Sequence, residues 1–264
     1  MQLPNSPKQL QLILDQAKKL TPHKPNKEVN QFFSDLYNIS VNNNWELSSQ
    51  IINSQELSEL HSICSQAEYQ MEQYRANLLL NSKDIKKELE NFPYRNNYTD
   101  LTKLEYHSIL SQLESCKNLL FVGSWPLPLT AIILAQKYDM HCVLVERDEI
   151  AVQTSQKIIE KLWLQRQIEV IHSDFLNFSN NTPYDAIILA SLLFCWGATD
   201  KKILSHLSSQ LNFQLAVIRS VEWLRQLLYQ KINLDLIKTY LNLEISIHPN
   251  NHIVNSLLLC TNKK

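Results

Sequence analysis

The stretch from Leu119 to Thr130 constrains the fold more than any other part of the chain. Four apolar residues, Leu119 to Val122, run into Gly123, one of only two glycines among 264 residues. A chain so poor in glycine places one there where the backbone needs positive φ or a ligand comes close. Pro126 and Pro128 suit the opening of a helix, where a missing N–H costs nothing. Leu129 to Ala135 then reads as a mostly apolar helix. Strand, glycine turn and helix form the nucleotide-binding opening of an α/β sheet. Trp125 and Pro128 stand where the second and third glycines of G-x-G-x-x-G belong. A pyrophosphate cannot lie flat on such a turn, so NAD and FAD fit poorly. A nucleoside cofactor without phosphates, S-adenosylmethionine (SAM), fits better.

After Cys116 strands and helices alternate. The expected strands are 118–123, 141–146, 168–172, 184–190, 213–219, 241–248 and 252–260. The expected helices are about 127–138, 148–163, 200–210 and 222–239. Such alternation predicts a parallel, doubly wound sheet. The last two strands, joined by Pro249-Asn250-Asn251, read as an antiparallel hairpin. The fold class is therefore α/β, a Rossmann-like sheet of the SAM-dependent methyltransferase type.

Residues 1–115 carry no alternating strand pattern and read as an all-helical N-terminal domain, a lid on the acceptor side. Residues 116–264 read as the SAM-binding domain. In the helical part, 9–20 and 28–37 are amphipathic, and Ser54 opens a long helix. Its predicted seam is Leu57, Leu60, Cys64, Ala67, Met71, Tyr74 and Leu78, spaced three and four. Lys83 to Glu90 reads as a short charged helix, Asn91 to Tyr98 as non-helical, and Asp100 to Leu113 as a further helix.

Formal net charge is −1, and no run of Lys and Arg exceeds a pair. That excludes the electrostatic footprint of a nucleic-acid binder. Apolar runs are strand-length, too short for a membrane span. The N-terminal pattern is not that of a signal peptide, and the expected compartment is the cytoplasm. The five cysteines are scattered, odd in number and without zinc spacing, which predicts free thiols. His248 and His252, four apart on a hairpin, make poor metal geometry, so no metal is expected.

Carboxylates at strand ends are the expected cofactor contacts. Glu146 ends the second strand, 23 residues after Gly123, near the spacing at which an acidic side chain meets a ribose diol. Arg147 beside it joins the same group. Asp174 ends the third strand and can accept from an adenine amino group, with Phe175 beside the ring. Ala190 and Ser191 end the fourth strand and face the crevice. With Gly123, Ser124, Trp125 and Pro126 these residues form the predicted cofactor site. Glu68 and Glu72 lie four apart on one helix face. If both are buried, one pKa must rise, which suits a general base. Arg219 ends the fifth strand and can meet a carboxylate in bidentate fashion.

Several ordered segments resemble the nicotianamine synthase family. Phe121-Val122-Gly123-Ser124-Trp125-Pro126-Leu127-Pro128-Leu129-Thr130 resembles its F-V-G-S-G-P-L-P-L-T stretch. Pro93-Tyr94-Arg95-Asn96-Asn97-Tyr98, then Leu101-Thr102-Lys103-Leu104-Glu105-Tyr106, resembles P-Y-Y-x-N-Y followed by L-x-K-L-E-Y. Tyr184-Asp185, Leu189-Ala190, Val217 to Ser220, His248-Pro249 and Val254 to Ser256 continue the likeness. The resemblance implies transfer of the 3-amino-3-carboxypropyl (aminobutanoyl) group of SAM to an amine, releasing methylthioadenosine. The short chain is similar to the bacterial branch that acts on an amino acid such as histidine in opine metallophore synthesis. An acceptor amino acid, a downstream opine dehydrogenase and a homodimer are the implied partners. By resemblance, Glu68 or Glu72 with Tyr94 or Tyr98 holds the reacting amine. Glu105, Tyr106, Arg219 and His248 are the substrate-side candidates. Two other readings share the sheet: a SAM-dependent methyltransferase and a non-catalytic SAM-fold scaffold.

Trp125 departs from the family, which carries glycine there. Pro126 predicts an extended conformation for Trp125. The indole is expected to face the ligand pocket, narrow it and favour a single transfer.

Overall fold

The computed structural model describes residues 6–20, 23–43, 45–52, 54–92, 94–194 and 199–263. Six helices come first: α1 (Pro7–Lys19), α2 (Lys27–Val41), α3 (Ser49–Ile52), α4 (Gln55–Asn81), α5 (Ile85–Glu90) and α6 (Arg95–Leu110). The alternating part follows. It comprises β1 (Asn118–Val122), α7 (Leu129–Tyr138), β2 (His141–Glu146), α8 (Glu149–Lys161), β3 (Ile168–His172) and β4 (Asn180–Leu189). Then come α9 (Asp200–Gln210), β5 (Leu211–Ser220), α10 (Leu234–Tyr240), β6 (Leu241–Ile247) and β7 (Ser256–Asn262).

The sheet order is β3-β2-β1-β4-β5-β7-β6, parallel except for β7, which runs antiparallel to both neighbours. This is the expected doubly wound sheet with its terminal hairpin. The order reverses between β1 and β4, and ligands of such sheets bind at the carboxyl ends beside that switch. Register puts four strand ends in one row. Val122 pairs with Val145 and with Leu189, and Leu189 pairs with Ile218. The next residue of each strand is Gly123, Glu146, Ala190 or Arg219.

Alternation along β1 divides the core. Leu119 and Phe121 join a cluster with α7, α8 and the apolar residues of α4, α5 and α6. Leu120 and Val122 join the opposite cluster with α9 and α10. Helices α1 to α4 bury a further cluster with Leu224 and Leu227. The helical half thus shares its cores with the sheet on both sides of residue 115.

Three expectations are corrected. Helix α4 keeps the predicted seam through Ala67 and then turns it: Glu72, Ala76 and Leu79 are buried, whereas Tyr74 is 47% exposed. Residues Arg95 to Tyr98 are helical, because tertiary partners take their side chains: Tyr98 bonds Glu72, and Asn97 bonds the His252 carbonyl. The segment 222–239 is not one helix. Trp223 sits at φ +53, a 3-10 turn covers Trp223–Leu227, and α10 begins at Leu234. There Arg225 is fully buried and donates to the Ile253 and Asn251 carbonyls, contacts a regular helix could not supply.

An ion pair joins α6 to β5. Arg219 Nε lies 2.6 Å from Glu105 Oε1, and Nη2 lies 3.0 Å from Oε2. Glu105 is fully buried. Removing one partner of such a pair leaves an uncompensated buried charge. Glu105→Ala should therefore cost about 3–5 kcal/mol of stability, read by urea unfolding. A loss below about 1 kcal/mol, the range of an exposed pair, would contradict the assigned burial.

Candidate active site

A cavity opens where the helical half covers the carboxyl edge of the sheet. Its floor is the β1 turn, with Phe121, Gly123, Ser124, Trp125, Leu127 and Pro128. The start of α7 adds Thr130, the end of β4 adds Ala190 and Ser191, and the end of β5 adds Arg219. Helix α4 contributes Glu68 and Glu72, and the start of α6 contributes Tyr94, Asn97 and Tyr98. Helix α2 closes the far side with Val29, Phe33 and Tyr37.

Gly123 has φ +84, as its position predicted, and a Cβ added there would meet the Ala190 Cβ at 3.4 Å. Trp125 also has positive φ, +55, which corrects the expected extended backbone. A left-handed conformation costs a bulky L-residue about 1–2 kcal/mol. Glu146 offsets this: its Oε2 accepts from the Trp125 N–H at 3.0 Å, and its Oε1 accepts from the Asp148 N–H at 2.9 Å. The indole lines the cavity as expected and meets the Tyr69 ring edge-on, with centroids 5.6 Å apart.

The two carboxylates of α4 are held unequally. Glu72 is 3% exposed; Tyr98 Oη donates to its Oε1 at 2.7 Å and the Leu127 N–H to its Oε2 at 3.4 Å. Glu68 is partly open to the cavity, and Tyr229 Oη donates to its Oε2 at 2.8 Å. Burial pushes the Glu68 carboxyl up to about 7, against the pull of Tyr229 and Arg219. Burial, then the charge of Glu68, holds Glu72 well above the usual carboxylate range. Burial, then the charges of Glu72 and Glu68, raise the Tyr98 phenol well above its ordinary value. Burial and Glu68 also raise Tyr94. Two interacting carboxyls of this kind titrate as a pair.

Arg219 does not present the bidentate fork expected for a substrate. Its Nε and Nη2 are taken by Glu105, and Nη2 also donates to Thr130 Oγ1 at 2.9 Å. Glu105 is accordingly a partner of Arg219 and does not line the cavity. Tyr106 faces away and stacks on Tyr138 at 3.8 Å. His248 is exposed, bonded to Ser256 Oγ at 3.1 Å, and lies outside the cavity lining.

The expected ribose and adenine group lies beyond the cavity along the strand ends. Glu146 is buried under the turn it anchors, and Pro126 is buried beside it. Arg147 is exposed, and its carbonyl accepts from His172. Asp174 is exposed and caps the next turn through the Leu176 N–H at 2.8 Å. Phe175 packs in the core against His206 rather than flanking an open site. Sequence reasoning missed Tyr229, which sits in the stretch misread as helix. It also missed Asn255, whose amide donates to Ser191 Oγ at 2.7 Å. The described cysteines are buried thiols, with Cys64 Sγ donating to the Leu227 carbonyl at 3.9 Å, and Cys195 lies outside the described residues. Among the described residues no His/Cys/Asp/Glu group is arranged to hold a metal, and no helix is long and apolar enough to cross a membrane.

Comparison with known proteins adds a family. The family model described as nicotianamine synthase protein matches residues 7–264. Nicotianamine synthase 1 of Arabidopsis thaliana is 28% identical over 265 residues, spanning 96% of this chain and 82% of that protein. The nicotianamine synthase of Solanum lycopersicum is 26% identical over 255 residues, spanning 94% and 80%. Among solved structures, MtNAS in complex with MTA and tNA superposes with a TM-score of 0.81 at 19% identity, covering 97% of this chain and 98% of that one. A variant of MtNAS in complex with S-adenosylmethionine gives 0.82 at 18% identity, with the same coverage. The structural likeness carries the fold, and the sequence match over almost the whole length carries the kinship. The chain belongs to the nicotianamine synthase family.

Proposed function

We propose that this protein transfers the 3-amino-3-carboxypropyl group of SAM to an amine and releases methylthioadenosine. One observation carries the reading: two carboxylates with raised pKa stand over the glycine turn of a SAM-type sheet, and Glu72 is bonded to that turn. A methyltransferase needs only the sheet. Here the helical half supplies a proton acceptor at the turn itself.

The turn fits such a co-substrate in two respects. The missing Cβ of Gly123 keeps the backbone open to close approach. The buried Ser124 hydroxyl has no partner among the described residues, so a polar ligand atom can satisfy it. SAM bound there would supply an electrophilic γ-carbon and a neutral thioether leaving group.

The protein's own task is to hold the acceptor and take its proton. Tyr98 and Glu72 hold the amine, with Tyr94 beside them. The nitrogen lone pair forms the new N–C bond, the C–S pair leaves with sulfur, and the amine proton passes to the Glu68–Glu72 pair. Holding the nitrogen about 3–3.5 Å from the γ-carbon, rather than from the methyl, selects the reaction. An amino acid such as histidine is the acceptor in this reading. Its product gains an amine and a carboxylate, the donor set of a metallophore, and an opine-type dehydrogenase would act on it next.

Mass spectrometry of the products tests the reaction class. Methylthioadenosine is the expected nucleoside product; S-adenosylhomocysteine would instead establish methyl transfer.

The pH profile tests the base. Turnover should rise with pH through about 7, as the pair loses its proton. Glu68→Gln removes the carboxyl raised to about 7 and the like charge beside Glu72, so the acid limb should no longer be centred near 7. An unmoved limb would rule out coupling between the two. For stability the sign runs the other way. Carboxyls raised in the folded state hold protons that the unfolded chain releases from about 4.5 upward, so stability falls as pH rises toward 7.

A further inference from the structure

We propose that Trp125, braced by Tyr69, reads the positive charge on the sulfur of the co-substrate, so that the site holds a sulfonium in preference to a neutral thioether. This rests on the transferase reading above and adds to the same site a specificity-determining residue and a positioning residue.

The level of the indole in the cavity follows from the turn. The Trp125 N–H is bonded to Glu146, on the side of the strand-end group. Two residues on, the Leu127 N–H is bonded to Glu72, on the side of the base. In SAM the sulfur is the one atom that joins the nucleoside to the carbon under attack. With the nucleoside toward the strand ends and that carbon toward Glu72, the sulfur falls opposite residue 125. The indole lines the cavity at this level.

The ring is held there from outside. Tyr69 meets it edge-on, with centroids 5.6 Å apart and ring planes at 75°, and Tyr69 itself does not line the cavity. The Tyr69 phenol donates to Asp148 Oδ2 at 3.3 Å, and Asp148 Oδ1 caps α8 through the Ala151 N–H at 2.8 Å. Trp125 is thus fixed twice by the connection between β2 and α8. Glu146 holds its backbone, and Asp148 holds its ring through Tyr69. A bulky side chain kept in a left-handed turn by such supports points to a use for that side chain. The similar stretch of the family carries glycine at this place, so the device belongs to this chain.

The rest of the wall leaves the cation to the indole. Arg219 is paired with Glu105 and offers a sulfonium nothing. Burial raises both Glu68 and Glu72, so near neutral pH the pair carries less than two charges. An aromatic face attracts a cation at any pH, tryptophan most strongly, and more so where water is excluded. Transfer turns the sulfonium into a neutral thioether. The attraction to the indole therefore ends as the nucleoside product forms, which favours its exchange for fresh donor.

The test is calorimetry on the full-length protein with three nucleosides that differ at one position. SAM carries a methylated sulfonium, S-adenosylhomocysteine a neutral sulfur, and sinefungin a charged amine on carbon in place of the methylsulfonium. The wild type should bind both charged ligands at least ~tenfold more tightly than S-adenosylhomocysteine. Trp125→Gly is at ease at positive φ and should lower both preferences by ~tenfold. Tyr69→Ala leaves the turn untouched and should lower both by roughly threefold or more, whereas Tyr69→Phe keeps the ring and should stay within about twofold of wild type. Preferences unchanged in Trp125→Gly would overturn the proposal, since the carboxylates would then be reading the charge. A preference lost for SAM but kept for sinefungin would overturn it too, as recognition of the methyl by shape. Tyr69→Phe falling as far as Tyr69→Ala would overturn the bracing role of the ring. The expected preferences with S-adenosylhomocysteine released on turnover would leave the proposal standing and overturn the transferase reading instead.

Discussion

Two carboxylates buried one helical turn apart are the constraint around which this structure is arranged. Glu72 leaves water and Glu68 is half-buried beside it, and among the described residues neither forms an ion pair. Burying an ionised carboxylate without partners is prohibitive. Three separate elements answer that cost: α6 brings Tyr98, the β1 turn brings the Leu127 N–H, and the segment after β5 brings Tyr229. The helical half is thereby fixed over the sheet's switch point. The compensation is incomplete, because the partners are neutral and the two charges repel. What remains is a raised pKa, and a raised pKa is what a base acting on an amine needs.

The sheet contributes position rather than chemistry. Register aligns Gly123, Glu146, Ala190 and Arg219 at one edge, and three of them do different jobs there. Gly123 opens the backbone, Glu146 secures the left-handed turn at Trp125, and Arg219 ties α6 to β5 through Glu105. Any SAM-type fold can build such an edge. The departure from methyl transfer lies in what the helices lower onto it, which is why the fold alone leaves the reaction undetermined.

The sheet was legible in the sequence because period-two apolar runs broken by turns have few readings: each of the seven expected strands has a counterpart, although the last begins at Ser256 rather than His252. Gly123 was legible because glycine is so rare here. The long-range parts were not. Arg95 to Tyr98 looked non-helical by composition, yet partners on α4 and at His252 stabilise them as a helix. The buried Arg225 breaks the segment after β5 for the sake of carbonyls some 26 and 28 residues away. No local pattern announces that. Arg219 read as a substrate ligand because its internal partner, Glu105, stands 114 residues earlier in the chain. The φ of Trp125 was misjudged for a related reason: the preference imposed by Pro126 is weaker than the anchoring carboxylate of Glu146.

The central claim is that α4 carries carboxyls poised near neutrality. Carbon-13 NMR of side-chain-labelled glutamates, assigned through Glu68→Gln and Glu72→Gln, measures it without reference to turnover. The account predicts a carboxyl resonance from this pair titrating near 7, well above the ordinary value of 4.5. Titration of both carboxyls close to 4.5 would contradict it.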